Sequence, residues 1–196
     1  MPAIAAYNAG MSEFLLRPMQ VADLPGVLAV QAQCYGNMLL ESEAALASRL
    51  ALSPATCWVA QAGNEPAAGA PLAAYLITHA WPRSTLPTLD GVLPAAVPAA
   101  AAAVAGLTWF VHDMAVAPTG RGGGLAQRLY RAAQATALQA GLHHSRLIAV
   151  QAAGAWWQRL GYRPLDAAQT APFAAKLAGY GAGAVIMECA LAAAPA

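Results

Sequence analysis

Asp113-Met-Ala-Val-Ala-Pro-Thr-Gly-Arg-Gly-Gly-Gly-Leu-Ala-Gln-Arg-Leu-Tyr130 runs from an apolar strand through a glycine turn into an amphipathic helix. The first turn of a helix leaves backbone N–H groups without intrahelical partners. Glycines around it let those groups converge on one spot, which makes an anion cradle suited to phosphate. Two commoner glycine motifs do not fit. A P-loop needs Gly-Lys-Ser/Thr, and this segment has no lysine. A dinucleotide fingerprint needs a third glycine at its sixth position, where counting from Gly120 gives Leu125 and from Gly122 gives Gln127. The remaining alternative is a glycine turn that caps a helix and binds nothing.

The rest of the chain reads as α/β. Phe14–Pro18 is a short strand. Helical spacing follows at Val21, Leu24, Val27, Leu28 and Tyr35, and again from Ser42 to Leu52. Strands are expected at Cys57–Gln61, Leu72–His79 and Leu107–Val116. Leu125–Ala140 is the strongest helix, with Leu125, Leu129, Ala132, Ala133, Thr136 and Ala140 on one stripe. Strand Ser145–Val150, helix Ala152–Leu160 closed by Gly161, and strands Tyr162–Leu165 and Ala184–Leu191 complete the order. The fold class is α/β, a mixed sheet with helices on both faces. At 196 residues the expectation is one domain, with residues 1–12 flexible and an Ala/Pro-rich loop at 91–106.

Composition narrows the function classes. The net charge of +1 and scattered basic residues exclude a nucleic-acid surface. Hydrophobic content is 59%, but alanine carries much of it. Gly91 to Val111 has no charge and enough length to span a bilayer, yet Pro94 and Pro98 break its first half. It reads as a loop leading into a strand, so no membrane partner is expected. Cys34, Cys57 and Cys189 form neither a disulfide framework nor a zinc pattern. No metal is expected, the residues before Met11 do not read as a signal peptide, and the location reads as cytoplasmic.

Arg121-x-x-Gly124-x-Ala126 resembles the pyrophosphate-binding motif of the GNAT superfamily of acyl-CoA-dependent N-acetyltransferases. Trp156-Trp-Gln-Arg-Leu-Gly-Tyr162 resembles the same family's segment beside the CoA thiol. The element order matches that fold from Phe14 to Leu191, which implies a single-domain, mostly antiparallel mixed sheet. By resemblance, Arg121, Gly122, Gly123, Gly124, Leu125 and Ala126 hold the pyrophosphate of acetyl-CoA. Met114, Ala115 and Val116 hold the pantetheine arm, and Trp157 packs beside the thiol.

Acetyl transfer to an amine also needs a base and a proton for the leaving thiolate. Strict alternation puts Phe110, His112, Met114 and Val116 on one strand face, and Val111, Asp113 and Ala115 on the other. The family carries catalytic Glu or His on the face of Phe110 and His112, and its arylalkylamine branch has a histidine matching His112. An imidazole can take an ammonium proton directly or through water. The alternative is a core histidine bonded to backbone. Asp113, on the other face, reads as structural. His143 and His144 read as surface, and His79 as a lesser candidate.

Trp157 stands where many relatives have the tyrosine that protonates the thiolate, and an indole cannot yield that proton. Either water serves or another phenol does: Tyr180, near the acceptor site, or Tyr162, which more readily packs in the core. Tyr35, Met38, Trp81, Leu86 and Leu89 are expected to line the acceptor site. The expected acceptor is therefore a primary amine of a small molecule, with the enzyme a monomer or homodimer. A protein N-terminal or lysine acetyltransferase and a non-catalytic acyl-CoA-binding module remain open.

Overall fold

The computed structural model describes residues 14–36, 39–63, 65, 69–96, 104–150 and 153–192. Its centre is strand β3 (Leu72–Pro82), in which only Ala80 is not fully buried. A strand that apolar on both faces must be covered from both sides. Around it lie β1 (Phe14–Pro18), β2 (Trp58–Ala62), β4 (Leu107–Val116), β5 (His144–Ala149), β6 (Arg163–Pro164) and β7 (Val185–Ala190). The sheet order is β1-β2-β3-β4-β5-β7-β6. Every neighbouring pair is antiparallel except β4 with β5. The expected mixed, mostly antiparallel sheet with helices on both faces is what forms.

Helices α1 (Leu24–Tyr35) and α2 (Glu43–Leu52) cover one face, where Leu24, Val27, Leu46 and Leu50 pack on Val59, Tyr75, Ile77 and Ala115. Ser42 caps α2 by accepting the Ala45 N–H. Helices α3 (Leu125–Gln139) and α4 (Gly154–Arg159) cover the other. There Leu125, Leu129, Ala133, Ala137 and Trp157 sit with Ala74, Leu76, Trp109, Val111 and Leu147. The buried stripe of α3 is thus the i, i+4 row ending at Ala137, and Ala140 is exposed. Small residues bring α3 close: a Cβ on Gly120 would lie 2.9 Å from the Ala73 carbonyl.

Two stretches differ from expectation. Trp81 and Pro82 belong to β3, not to a loop. Short helices α5 (Ala167–Thr170) and α6 (Ala174–Leu177) fill the β6–β7 connection, where none was expected. A capping box starts α5: Gln169 N–H to Asp166 at 2.8 Å, and Asp166 N–H to Gln169 at 3.0 Å. With the 83–93 loop they bury a third cluster of Trp81, Leu86, Leu93, Phe110 and Ile186 against Phe173 and Leu177. Among the described residues, no helix is long and apolar enough to cross a membrane, and no group of three potential metal ligands occurs.

Candidate active site

Glycine chemistry shapes the start of α3. Gly122 and Gly124 have φ of +84° and +67°, a region that costs other residues strain. A Cβ there would meet nothing within 4 Å. No side chain caps the helix. The turn's own bonds end with Gly120 N–H to Ala117 and Arg121 N–H to Pro118, and helical pairing resumes with Arg128 N–H to Gly124. Among the described residues, Gly122 to Gln127 donate no backbone hydrogen bond. The result is an open run of donors beside the exposed Arg121, which suits an anion at the positive end of a 15-residue helix.

From this cradle a slot runs along β4. Parallel pairing of β4 with β5 covers only Trp109–Ser145, Phe110–Arg146 and Val111–Leu147. Beyond Val111 the two strands part. The gap is a cleft of about 80 Å³ lined by Tyr35, Met114, Ile148, Ala153 and Trp157, among others. Backbone of β4 on this side has no strand partner. An extended chain can pair with it there, as an added strand would.

A β-bulge lies at the head of the slot. Ile77 pairs with Asp113 but Thr78 pairs with Val111, so His112 is the extra residue. The bulge breaks the strict alternation expected from the sequence. Asp113 and Ala115 turn onto the face of His112 and Phe110, against α1 and α2. Met114 and Val116 turn to the α3 side with Val111. Asp113 is therefore not on the far face: it borders both clefts together with His112 and Tyr35.

Glu41 organises the second half of the site, and nothing in the sequence singled it out. Its carboxylate meets His112 Nε2 at 2.5 Å and Arg49 Nη2 at 2.7 Å, and accepts the Asp90 N–H at 2.7 Å. All three side chains are almost fully buried. Burial alone would raise the Glu41 pKa, but the His112 hydrogen bond and the His112 and Arg49 charges outweigh it and hold it low. Arg49 also donates to the carbonyls of Ala45, Gly91 and Thr88. Because Glu41 is ionised and can only accept, the proton of a neutral His112 sits on Nε2. Nδ1 then carries the free lone pair, and it is buried without a partner. Two non-glycine residues with left-handed backbone, Leu39 (φ +58°) and Asp90 (φ +54°), flank Glu41 in sequence and in space. Such strain persists where surrounding contacts impose it, and it gathers at functional sites.

Asp113 is held by donors: Tyr35 Oη at 2.7 Å, Tyr75 Oη at 2.5 Å and Gln31 Nε2 at 3.3 Å. Burial, with the Glu41 charge beside it, leaves its pKa raised, and the two phenols and the His112 charge offset only part of that rise. Burial pushes His79 well below the ordinary imidazole range, so it is neutral. It stacks on Phe110 at 5.5 Å, a packing residue next to the site.

A second cleft, of about 40 Å³, is lined by Tyr35, Leu39, Glu41, Leu89, His112, Asp113, Ile148, Val150 and Tyr180. Of the residues expected to line an acceptor site, Tyr35 and Leu89 line this cleft. Trp81 and Leu86 are instead buried in the third cluster, and Met38 lies outside the described residues. Tyr180 is a wall of this cleft. Its hydroxyl donates to the Pro87 carbonyl at 3.1 Å, and burial raises its pKa. Lys176 Nζ to the Leu86 carbonyl at 2.6 Å and Arg146 Nη1 to the Arg83 carbonyl at 2.7 Å stitch the same wall to the 83–90 loop.

Tyr162 lies deep under α4. Its hydroxyl meets Ser145 Oγ at 2.5 Å and Tyr130 Oη at 3.2 Å, far from solvent. Tyr162→Phe strands the buried Tyr130 hydroxyl, while Ser145 keeps the Trp109 carbonyl, so the expected loss is about 1–3 kcal/mol of stability with turnover unchanged. Chemical denaturation read beside activity checks this; a folded, inactive variant would instead make Tyr162 a proton donor.

Residues 25–162 match the model described as the acetyltransferase (GNAT) family. No curated protein matches the chain. Among solved structures, the loading GNATL domain of CurA from Lyngbya majuscula superposes with TM-score 0.65 at 11% identity, covering 91% of this chain and 98% of that one. The ribosomal-protein-S18-alanine N-acetyltransferase from Escherichia coli gives 0.58 at 15%, over 93% and 97%. Arylalkylamine N-acetyltransferase 2 from Aedes aegypti gives 0.60 at 12%, over 91% and 99%. At such identities these likenesses speak for the fold alone. The family match spans most of the chain and contains the cradle, the slot and the bulge: the chain belongs to the acetyltransferase (GNAT) family and is an acyltransferase.

Proposed function

We propose that the chain, a single domain, moves an acetyl group from acetyl-CoA to the primary amine of a small molecule, in the cytoplasm, as a monomer or homodimer. One observation carries the reading. The unpaired N–H run at α3 follows directly on β4, with Arg121 reaching the Val116 carbonyl, and the unpaired end of β4 borders a cleft that includes His112. Arg121 and the N–H groups of Gly122, Gly123, Gly124, Leu125 and Ala126 hold the pyrophosphate. Met114, Ala115 and Val116 offer strand-like backbone to the pantetheine arm, and Trp157 walls it. Bound there, acetyl-CoA supplies an acyl thioester.

His112 Nδ1 takes a proton from the acceptor ammonium. Its ring is only 1% exposed, so the proton passes through a water. Glu41 holds the opposite nitrogen and stabilises the imidazolium, and Arg49 fixes Glu41. An N–C bond forms as the thioester C–S bond breaks. Of the two protons that leave the ammonium, one ends on the CoA thiol, delivered by water, and the other departs through His112. Structural neighbours include, by name, enzymes of small amines and of proteins, so the acceptor is read from the cleft. Its small volume and the wall tied by Lys176, Tyr180 and Arg146 favour a small molecule over a peptide.

Acetyl-CoA is expected to raise the melting temperature, because it binds only the folded chain. At a hundred times Kd the gain is about 2.7 kcal/mol, or roughly 5–10 °C for a domain of this size. Gly124→Val abolishes the shift but also strains a left-handed position. Gly123→Val, at ordinary φ, separates the two effects and is also expected to lose the shift. Release of CoA with a panel of amines and a short peptide then identifies the acceptor. No shift at millimolar acetyl-CoA would sink the reading.

A further inference from the structure

Two carboxylates and one guanidinium meet at the acceptor cleft. Glu41 is matched by Arg49 at 2.7 Å. Asp113 is matched by no cation: Tyr35, Tyr75 and Gln31 are neutral donors. A carboxylate has about four acceptor positions, and these three donors leave one open. Setting aside His112, which gains and loses the proton of the reaction, two carboxylates, Glu41 and Asp113, face one guanidinium, Arg49, an excess of one acidic group at the cleft. Among the described residues, the other charged groups nearby turn away from it. The Asp90 carboxylate is spent on Ser42 at the surface, and Lys176 on the Leu86 carbonyl. The rest of the lining, Leu39, Leu89, Ile148, Val150 and the rings of Tyr35 and Tyr180, is apolar or aromatic.

We infer that the acceptor is a small amine carrying a single positive charge, and that Asp113 receives its ammonium group beside His112. The inference rests on the acetyl-transfer reading and names the substrate class within it. An isolated buried charge is costly, and one ammonium brings the cleft to neutrality. Passing its proton to His112 leaves that sum unchanged, since the charge only moves from nitrogen to imidazole. A second cation on the acceptor would have to sit among Leu39, Leu89, Ile148 and Val150. An acceptor carboxylate would add to the existing negative charge. Both are selected against by the same lining.

The test is a series of equal chain length with acetyl-CoA as donor: butylamine, 1,4-diaminobutane and 4-aminobutanoate, which differ in the end group alone. Butylamine is expected to have a kcat/KM at least tenfold above either of the others. Asp113→Asn is expected to raise the KM for butylamine tenfold or more, with a smaller change in kcat and the acetyl-CoA melting shift retained. Equal or better turnover of the diamine or the amino acid overturns the inference. So does a folded Asp113→Asn with unchanged KM, or a wild-type protein that shows the acetyl-CoA shift yet acetylates none of the three. Where Asp113→Asn fails to fold, the wild-type series decides alone. Absence of the acetyl-CoA shift overturns the parent reading instead, and this inference with it.

Discussion

Arg49→Met is expected to cost about 3–5 kcal/mol of stability, which for a domain of this size is a fall of roughly 6–20 °C in Tm. Arg49 is fully buried, and its guanidinium is shared between Glu41 and the carbonyls of Ala45, Thr88 and Gly91. Methionine fills much the same space. The loss therefore comes less from packing than from leaving the Glu41 carboxylate buried beside a single imidazole. A double variant checks that cause. Arg49→Met with Glu41→Leu removes both charges, and buried pairs replaced by apolar residues are often neutral. The double variant should recover much of the stability while remaining inactive. A single variant within 1 kcal/mol of wild type would mean that the pair contributes little and that the loop carbonyls are held by other contacts.

His112→Ala is expected to lower kcat by about 10²–10⁴-fold, the usual range for loss of a general base. The acetyl-CoA melting shift should remain, because the cradle lies at the other end of the slot. A companion variant sharpens the prediction. In Glu41→Gln the amide oxygen can still accept from Arg49 and Asp90, and its NH₂ then faces His112 Nε2. That moves the imidazole proton to Nδ1 and removes the lone pair from the cleft. A folded Glu41→Gln should therefore be impaired on the order of His112→Ala. Stopped-flow measurement of acetyl transfer over pH 6 to 9 reads both. Near wild-type turnover in either would return His112 to the role of a core histidine.

The sequence reveals the layers of this fold because they rest on local signals. Apolar runs bounded by turn residues mark the strands, helical spacing marks α1 to α3, Ser42 marks the start of α2, and Gly161 marks the end of α4. The cradle is legible for the same reason, since strand, glycines and helix are contiguous. The acceptor half is not contiguous. Glu41 and His112 are 71 residues apart, and a lone glutamate before a cap residue resembles any surface charge. Period-2 alternation exchanges the faces beyond His112 because it assumes an unbroken ladder, and no residue in Phe110 to Val116 announces a bulge. Trp81 and Leu86 looked like pocket residues because apolar composition does not distinguish a pocket from a third core. The α5 start was readable in principle, as Asp166 and Gln169 have capping-box spacing.

The extra residue at His112 acts on β4 as a reading frame. Removing His112 would leave an unbroken ladder, since Thr78–Val111 and Ile77–Asp113 are already paired, and every residue downstream would keep its layer. What the deletion would take away is the imidazole that meets Glu41. Point substitutions around the cleft leave the frame intact, so acceptor preference can drift one side chain at a time. A deletion at the bulge costs the imidazole alone, whereas a single-residue deletion between Asp113 and Val116 exchanges the faces beyond it and loses the core with them.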